Sequence, residues 1–286
     1  MTSKQDIWIS DLTHTAQGIS ANTFPLGASY VFSYAKQQLG NEFEFKLFKF
    51  PKQLTEALDH HFPSLLCFSN FSWNFELSYK FAFLAKKHNP NVITVFGGPN
   101  FPTDQNEKLE FLLKRPAIDF YIELEGEIGF VDLVKNLMEY NLSAISLKKN
   151  GKKIKNTCYL NENKLISGSI ERIADINIIP SPYFNGAMDE YFDFPLIPML
   201  ETTRGCPFAC TFCADGLTIK NKIHRYDPLR IKEEIHYIAK RVKNMDELIL
   251  TDLNFGMYKQ DVMTAKVIAE TQKNLQLPCF TWSCCW

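Results

Sequence analysis

Glu201-Thr-Thr-Arg-Gly-Cys206-Pro-Phe-Ala-Cys210-Thr-Phe-Cys213-Ala-Asp215 gathers three thiols into Cys-x3-Cys-x2-Cys, with Phe212 directly before the last. Thiolates this close together bind soft metal centres. Iron–sulfur clusters are held by cysteine thiolates, and a cubane takes four ligands. Three leave one iron open, and an open metal position is where a substrate or cofactor binds. Two other readings stand on the residues alone. A zinc site needs a fourth ligand, which His224 offers from downstream. A disulfide pair leaves one thiol over.

With Thr203-Arg204-Gly205 ahead of it, Cys-x3-Cys-x-aromatic-Cys resembles the radical S-adenosylmethionine (SAM) superfamily. The resemblance implies a [4Fe–4S] cluster on Cys206, Cys210 and Cys213. Its open iron would take the amino and carboxylate groups of SAM, and electron transfer into the sulfonium would release a 5′-deoxyadenosyl radical. An electron donor such as flavodoxin or ferredoxin is implied with it. Asp252 and Asn254 follow the second strand of the C-terminal half, where the family holds the SAM amino group, and Phe212 would stack near adenine. Beside these roles stand plainer ones: a cap or turn for Asp252 and Asn254, and packing under the loop for Phe212. Arg204 either meets a carboxylate or phosphate or is a rim charge.

The chain has 286 residues, 45% hydrophobic and 22% charged, which is ordinary for a soluble globular protein of about two domains. A net charge of −1 argues against a nucleic-acid partner. The basic run Lys148-Lys149-Asn150-Gly151-Lys152-Lys153 is expected to be a solvated hairpin tip around Asn-Gly. No signal peptide or membrane span is apparent. Eight cysteines are too few for a disulfide scaffold, so a reducing, cytoplasmic location is expected. Cys67 reads as an inert core thiol, and Cys158 has no partner in sequence. Cys279, Cys284 and Cys285 read as thiols embedded in a strand.

Residues 1–140 alternate strand-like and helical runs: strands at 7–12, 43–50, 65–69, 92–96 and 120–124, helices at 28–39, 79–88 and 129–140. Such alternation predicts a parallel sheet covered on both faces, with ligands beyond the carboxyl ends of its strands. Phe24-Pro-Leu-Gly27, Phe68-Ser-Asn-Phe-Ser-Trp-Asn74, Phe96-Gly-Gly-Pro-Asn-Phe-Pro102, Glu125-Gly-Glu127 and Ser181-Pro-Tyr-Phe-Asn-Gly186 resemble the cobalamin-binding domain fused to one large group of radical-SAM enzymes. The resemblance implies a flavodoxin- or Rossmann-like fold and a cobalamin site drawn from Thr13, Ser69, Asn70, Gly97, Gly98, Glu125 and Gly126. Glycines at strand ends let backbone approach a large flat cofactor, and they serve tight turns equally well. His14 follows the first strand, where a lower cobalt ligand would stand. Its spacing departs from Asp-x-His-x-x-Gly, so a surface histidine is expected.

Residues 141–195 break the rhythm and are expected to form a hairpin and a wrapping linker. From residue 196 a second βα rhythm begins: a strand at 198–202, a helix at 228–242 capped by Asp227, a strand at 247–250, a helix at 260–274 and a strand at 280–283. The resemblance makes this the start of a partial TIM barrel of six βα units, of which the chain supplies about two and a half. A truncated fragment, itself inactive, is therefore expected. The function read from the sequence is reductive SAM cleavage with cobalamin-dependent methyl transfer to a small-molecule substrate. Radical rearrangement, cyclisation or oxidation is the alternative, and a non-catalytic metal- or cobalamin-binding protein a third.

Overall fold

A computed structural model describes residues 4–243, 245–275 and 281–284. The chain divides into two compact units, one of Met1–Ala21 and Tyr34–Ile173, the other of Asn22–Ser33 and Ala174–Trp286.

The first unit is built on a seven-stranded sheet. In chain order its elements are β1 (Gln5–Ser10), α1 (Leu26–Leu39, its later part), β2 (Phe43–Phe48), α2 (Pro51–His60), β3 (Leu65–Ser69), α3 (Phe75–His88), β4 (Ile93–Gly97), α4 (Gln105–Leu113), β5 (Phe120–Ile122), α5 (Gly126–Glu139), α6 (Ala144–Asn150), β6 (Thr157–Asn161) and β7 (Lys164–Ser167). The strand order is β2-β1-β3-β4-β5-β6-β7. The first five strands run parallel, and β6 and β7 add antiparallel. Short apolar runs such as Leu65–Ser69 are buried almost throughout, as expected of strands covered on both faces. Alternation sends Trp8, Leu66, Phe68, Phe96 and Tyr121 into one core with Leu54 of α2, Phe75 and Ala82 of α3 and Leu112 of α4. The opposite face takes α5. Gly129 lies so close to β5 that a Cβ there would stand 2.9 Å from Ile122 Cγ2.

The run ending in Asn150-Gly151 is not a hairpin tip. Ala144–Asn150 is a helix, capped at its start by Ser143 and ended by Gly151 at φ +70°. Asn-Gly supplies a left-handed residue, and a helix C-terminus uses one as readily as a turn does. The hairpin lies at Glu162-Asn163, where both residues have positive φ, and it joins β6 to β7. Because this hairpin extends the sheet, residues 141–173 belong to the first unit rather than to a linker. Helices α2 and α4 stand outside the expected elements.

In the second unit, β8 (Met199–Leu200), β11 (Glu247–Leu250) and β12 (Thr281–Cys284) form a parallel sheet in the order β12-β11-β8. Between β8 and β11 come β9 (Thr203–Arg204), β10 (His224–Arg225) and α7 (Pro228–Arg241), and α8 (Lys259–Leu275) leads from β11 to β12. This is the βα repeat expected of a barrel start. Asp227 caps α7 by accepting from Leu229 N at 2.7 Å, with Pro228 at the first helical position. Ile231, Ile235, Ile238 and Ala239 make its buried stripe. The expected strand start at Phe280, with Cys279 and Cys285, lies outside the described residues.

Candidate functional site

The cysteine run sits on a loop at the carboxyl end of β8. Its base is closed by the antiparallel pair β9–β10, with Arg204 opposite His224 and Thr203 opposite Arg225. Glycines fix its path at two points. Gly205 has φ +111°, and a Cβ there would stand 2.4 Å from the Lys222 carbonyl; one on Gly216 would stand 2.3 Å from the Cys210 carbonyl. The three thiols are unequally placed. Cys206 is buried, Cys213 intermediate and Cys210 exposed. Cys206 N donates to Lys220 O at 3.0 Å, and its Sγ accepts from Asn254 Nδ2 at 3.2 Å. Cys213 Sγ accepts from Asp215 N at 3.4 Å. Phe212 is 91% exposed, so it does not pack under the loop. Three soft donors on one glycine-braced loop fit the thiolate ligation of an iron–sulfur cluster. Among the described residues no three His, Cys, Asp or Glu side chains already stand together as a metal-holding group. His224, the fourth ligand of the zinc reading, is buried and holds the Ala174 carbonyl through Nδ1 at 2.9 Å.

Asp252 is wholly buried after β11. Its Oδ1 accepts from Thr202 N at 2.6 Å and Thr203 N at 3.1 Å, and its Oδ2 accepts from the Thr202 hydroxyl. Burial pushes its carboxyl up, against the hydrogen bonds from Thr202 and Thr203. The residue therefore clasps the end of the first barrel strand to the second. The clasp also explains why β8 stops at Leu200, short of the expected Thr202. Arg204 meets a carboxylate, that of Glu201, through Nε–Oε1 at 3.1 Å and Nη2–Oε2 at 2.9 Å.

In the first unit the strand order reverses between β1 and β3, a switch point of the kind where doubly wound sheets take ligands. The residues there form a dense polar network. Asp11, just past β1, accepts from Lys49 Nζ at 3.0 Å, Ser69 Oγ at 2.5 Å and Asn74 Nδ2 at 3.2 Å. Asn70 donates through Nδ2 to Asn100 O at 2.7 Å and Tyr121 Oη at 2.9 Å, and Tyr121 Oη donates to Gly98 O at 2.9 Å. Gly98 has φ +130°, and a Cβ there would stand 2.6 Å from Asn70 O; Gly97 is less crowded. Thr13, buried, accepts from Ala21 N at 2.9 Å. Five expected site residues thus gather at the ends of β1, β3 and β4. Glu125 and Gly126 lie at the start of α5, just beyond β5, whose Ile122 pairs with Gly97; there Glu125 accepts from Arg172 Nε at 3.0 Å and from Ile173 N. The His14 side chain is exposed.

Sequence reasoning missed Asp11, Lys49, Asn74 and Tyr121, which only the folded register brings together. The stretch Phe68–Asn74 also holds an aromatic pair. Phe71 and Trp73 stack with centroids 4.6 Å apart and planes at 8°, and Trp73 is 54% exposed. Two further described thiols, Cys67 and Cys158, are buried in the first-unit sheet. Burial pushes the Cys67 thiol up. Burial and then the Glu123 charge push Cys158 up to about 12, with its Sγ 2.6 Å from Glu123 Oε1.

No family model matches the chain. The chain is 27% identical over 227 residues to the cobalamin-dependent radical SAM methyltransferase TokK of Streptomyces tokunonensis, covering 76% of this chain and 31% of that protein. It is 27% identical over 267 residues to the 2-(S-pantetheinyl)-carbapenam-3-carboxylate methyltransferase of Streptantibioticus cattleyicolor, covering 89% and 37%. The chain thus spans about a third of the length of these curated relatives. Its fold superposes on OxsB, a cobalamin-dependent S-adenosylmethionine radical enzyme solved with aqua-cobalamin and S-adenosylmethionine, with a TM-score of 0.71 at 17% identity over 95% of this chain and 37% of that one. Among the described residues no helix is long and apolar enough to cross a membrane. The thiol loop and the sheet order thus stand in a chain that is similar over most of its length to cobalamin-dependent radical SAM methyltransferases, and whose fold is that of a cobalamin-dependent S-adenosylmethionine radical enzyme.

Proposed function

We propose that the chain serves reductive cleavage of S-adenosylmethionine at a [4Fe–4S] cluster on Cys206, Cys210 and Cys213, coupled to cobalamin-dependent methyl transfer onto an unactivated carbon of a small molecule. One observation carries this reading: a three-thiol loop at the carboxyl end of β8 stands in the same chain as a glycine-and-amide cluster at a sheet switch point. When bound, the cluster supplies the electron for SAM cleavage and the cobalamin carries the methyl group. A small redox protein such as flavodoxin or ferredoxin would reduce the cluster.

The chain's own residues bind and orient. Asn254 holds the Cys206 sulfur, and Asp252 fixes the strand ends that aim the loop. Phe212 presents an exposed ring to the nucleoside end of SAM. In the first unit, Gly97 and Gly98 let backbone approach a flat ring system, and Asn70 with Tyr121 sets the loops on either side. The Phe71–Trp73 stack offers an apolar platform against which a corrin would exclude water. Thr13 and Ser69 line the same end of the sheet. Glu125, tied to Arg172, acts on the α5 start rather than on the cofactor.

Anaerobic reconstitution of residues 1–286 tests the reading. It should yield about four irons and four sulfides per chain. Alanine at Cys206, Cys210 or Cys213 should abolish the cluster, whereas Cys67→Ala should leave it intact. Equilibrium dialysis should show hydroxocobalamin retained, and product chromatography should show no substrate turnover by residues 1–286 alone. Stoichiometric zinc without iron–thiolate absorption at roughly 400 nm would overturn the assignment of the thiols.

A further inference from the structure

The second unit holds a buried stack for which the proposed reaction has no evident use. Tyr30 of α1 and Tyr226 lie ring to ring, with centroids 5.8 Å apart and planes at 22°, and both are buried. The Arg204 guanidinium stands 5.7 Å from the Tyr30 ring, and that of Arg230 4.2 Å from the Tyr226 ring. Cations over aromatic faces are attracted by the ring quadrupole, most strongly where water is excluded. Each arginine is also gripped by a carboxylate: Arg204 by Glu201 in the two-pronged pair above, Arg230 by Glu234 through Nε–Oε1 at 2.9 Å. Burial, then the charges of Tyr226, Glu234 and Glu201, push the Tyr30 hydroxyl well above its ordinary range. That ring is therefore neutral, and the stack carries charge only at its ends.

One end of the stack reaches the cysteine loop. Only Gly205 separates Arg204 from Cys206, and its conformation is fixed by the close approach to Lys222. The Arg204 backbone is pinned by the ladder to His224, and its side chain by Glu201 and Tyr30. The guanidinium is consequently held at a set place relative to the first thiol.

We propose that Tyr30 and Glu201 are positioning residues for Arg204, and that the Glu201–Arg204 pair so placed tunes the reduction potential of the cluster on Cys206, Cys210 and Cys213. The inference rests on the function proposed above. Reduction adds an electron to the cluster, so a fixed cation beside its ligands favours the reduced form and a fixed anion disfavours it. The two charges of the pair act in opposite senses, so removing one or the other shifts the potential in opposite directions. A scaffold without an electrostatic role would not reverse sign.

The test is a redox titration of the reconstituted chain followed by electron paramagnetic resonance. Arg204→Gln should lower the potential, so that the reduced share at a fixed poise falls several-fold. Glu201→Gln should raise that share several-fold. Tyr30→Phe keeps the ring and should match the wild type, while Tyr30→Leu should shift towards Arg204→Gln. If both charge variants hold wild-type iron and shift the same way, or not at all, the inference falls and the proposed function stands. A wild-type chain that holds no cluster overturns both. If Arg204→Gln does not fold, Glu201→Gln decides alone: a raised potential supports the tuning role, and an unchanged or lowered one ends it.

Discussion

The two polar clusters of this chain are built on opposite plans. The polar residues at the switch point of the first unit are paired among themselves: Asp11 holds Lys49 and Asn74, and Asn70 holds Tyr121, through buried hydrogen bonds. The cysteine loop of the second unit is braced by its backbone and exposes its chemistry, with Cys210 and Phe212 open to solvent. A large rigid cofactor is best met by a surface already shaped, because preorganisation lowers the cost of binding. A thiolate-bound centre draws its own ligands together, so its loop needs fixed ends more than fixed side chains. The contrast makes the first cluster a matter of stability and the second a matter of ligation.

The contrast can be broken most forcefully at Asp11. Asp11→Ala leaves the Lys49 ammonium buried, with its side chain 2% exposed, and should cost about 4 kcal/mol, read as an earlier first-unit transition in denaturant unfolding. If the loss were below about 1 kcal/mol, as for an exposed pair, the network would not be the preformed body described here. Next comes a comparison of two glycines, one in each unit. Gly98→Ala drives a Cβ into Asn70 and should cost about 3 kcal/mol, with loss of cobalamin retention. Gly256→Ala, at φ +95° with open space around it, should cost only about 1–2 kcal/mol. Equal losses would mean that close packing is not what distinguishes the switch point. The smallest effect sharpens the comparison. Trp73→Ala removes a half-exposed ring and should change stability by less than about 0.5 kcal/mol, yet weaken hydroxocobalamin retention several-fold. Unchanged retention would remove the platform role from the Phe71–Trp73 stack.

What the sequence made legible was local. Leu65–Ser69 and Glu247–Leu250 have the bounds their apolar runs predict, and Asp227 caps α7. What it hid depends on register or on competing uses of one signal. Asn150-Gly151 offers positive φ to a turn and to a helix end alike. The α4 helix gathers its apolar residues, Leu109, Phe111, Leu112 and Leu113, into its last five positions rather than repeating them at helical spacing, so period offers no handle on it. Asp252 was expected beside SAM because of its place after a strand, but its neighbours Thr202 and Thr203 come from fifty residues earlier and claim both oxygens. Lys49 and Asp11 lie thirty-eight residues apart and meet only because β2 pairs with β1.

The ladder β9–β10 has a consequence for how such a motif changes over time. It joins the two ends of the cysteine loop across a pair of residues on each side, so everything between Gly205 and Ile223 is a cassette hung from a fixed frame. Lengthening a closed loop is cheap, about 0.6 kcal/mol for each doubling. The stretch after Cys213 is therefore open to insertion and sequence drift, while Gly205, Gly216 and the ladder are not. Swapping the segment 217–222 for that of a similar protein should leave the frame standing, which makes this loop a transplantable part rather than a property of the whole fold.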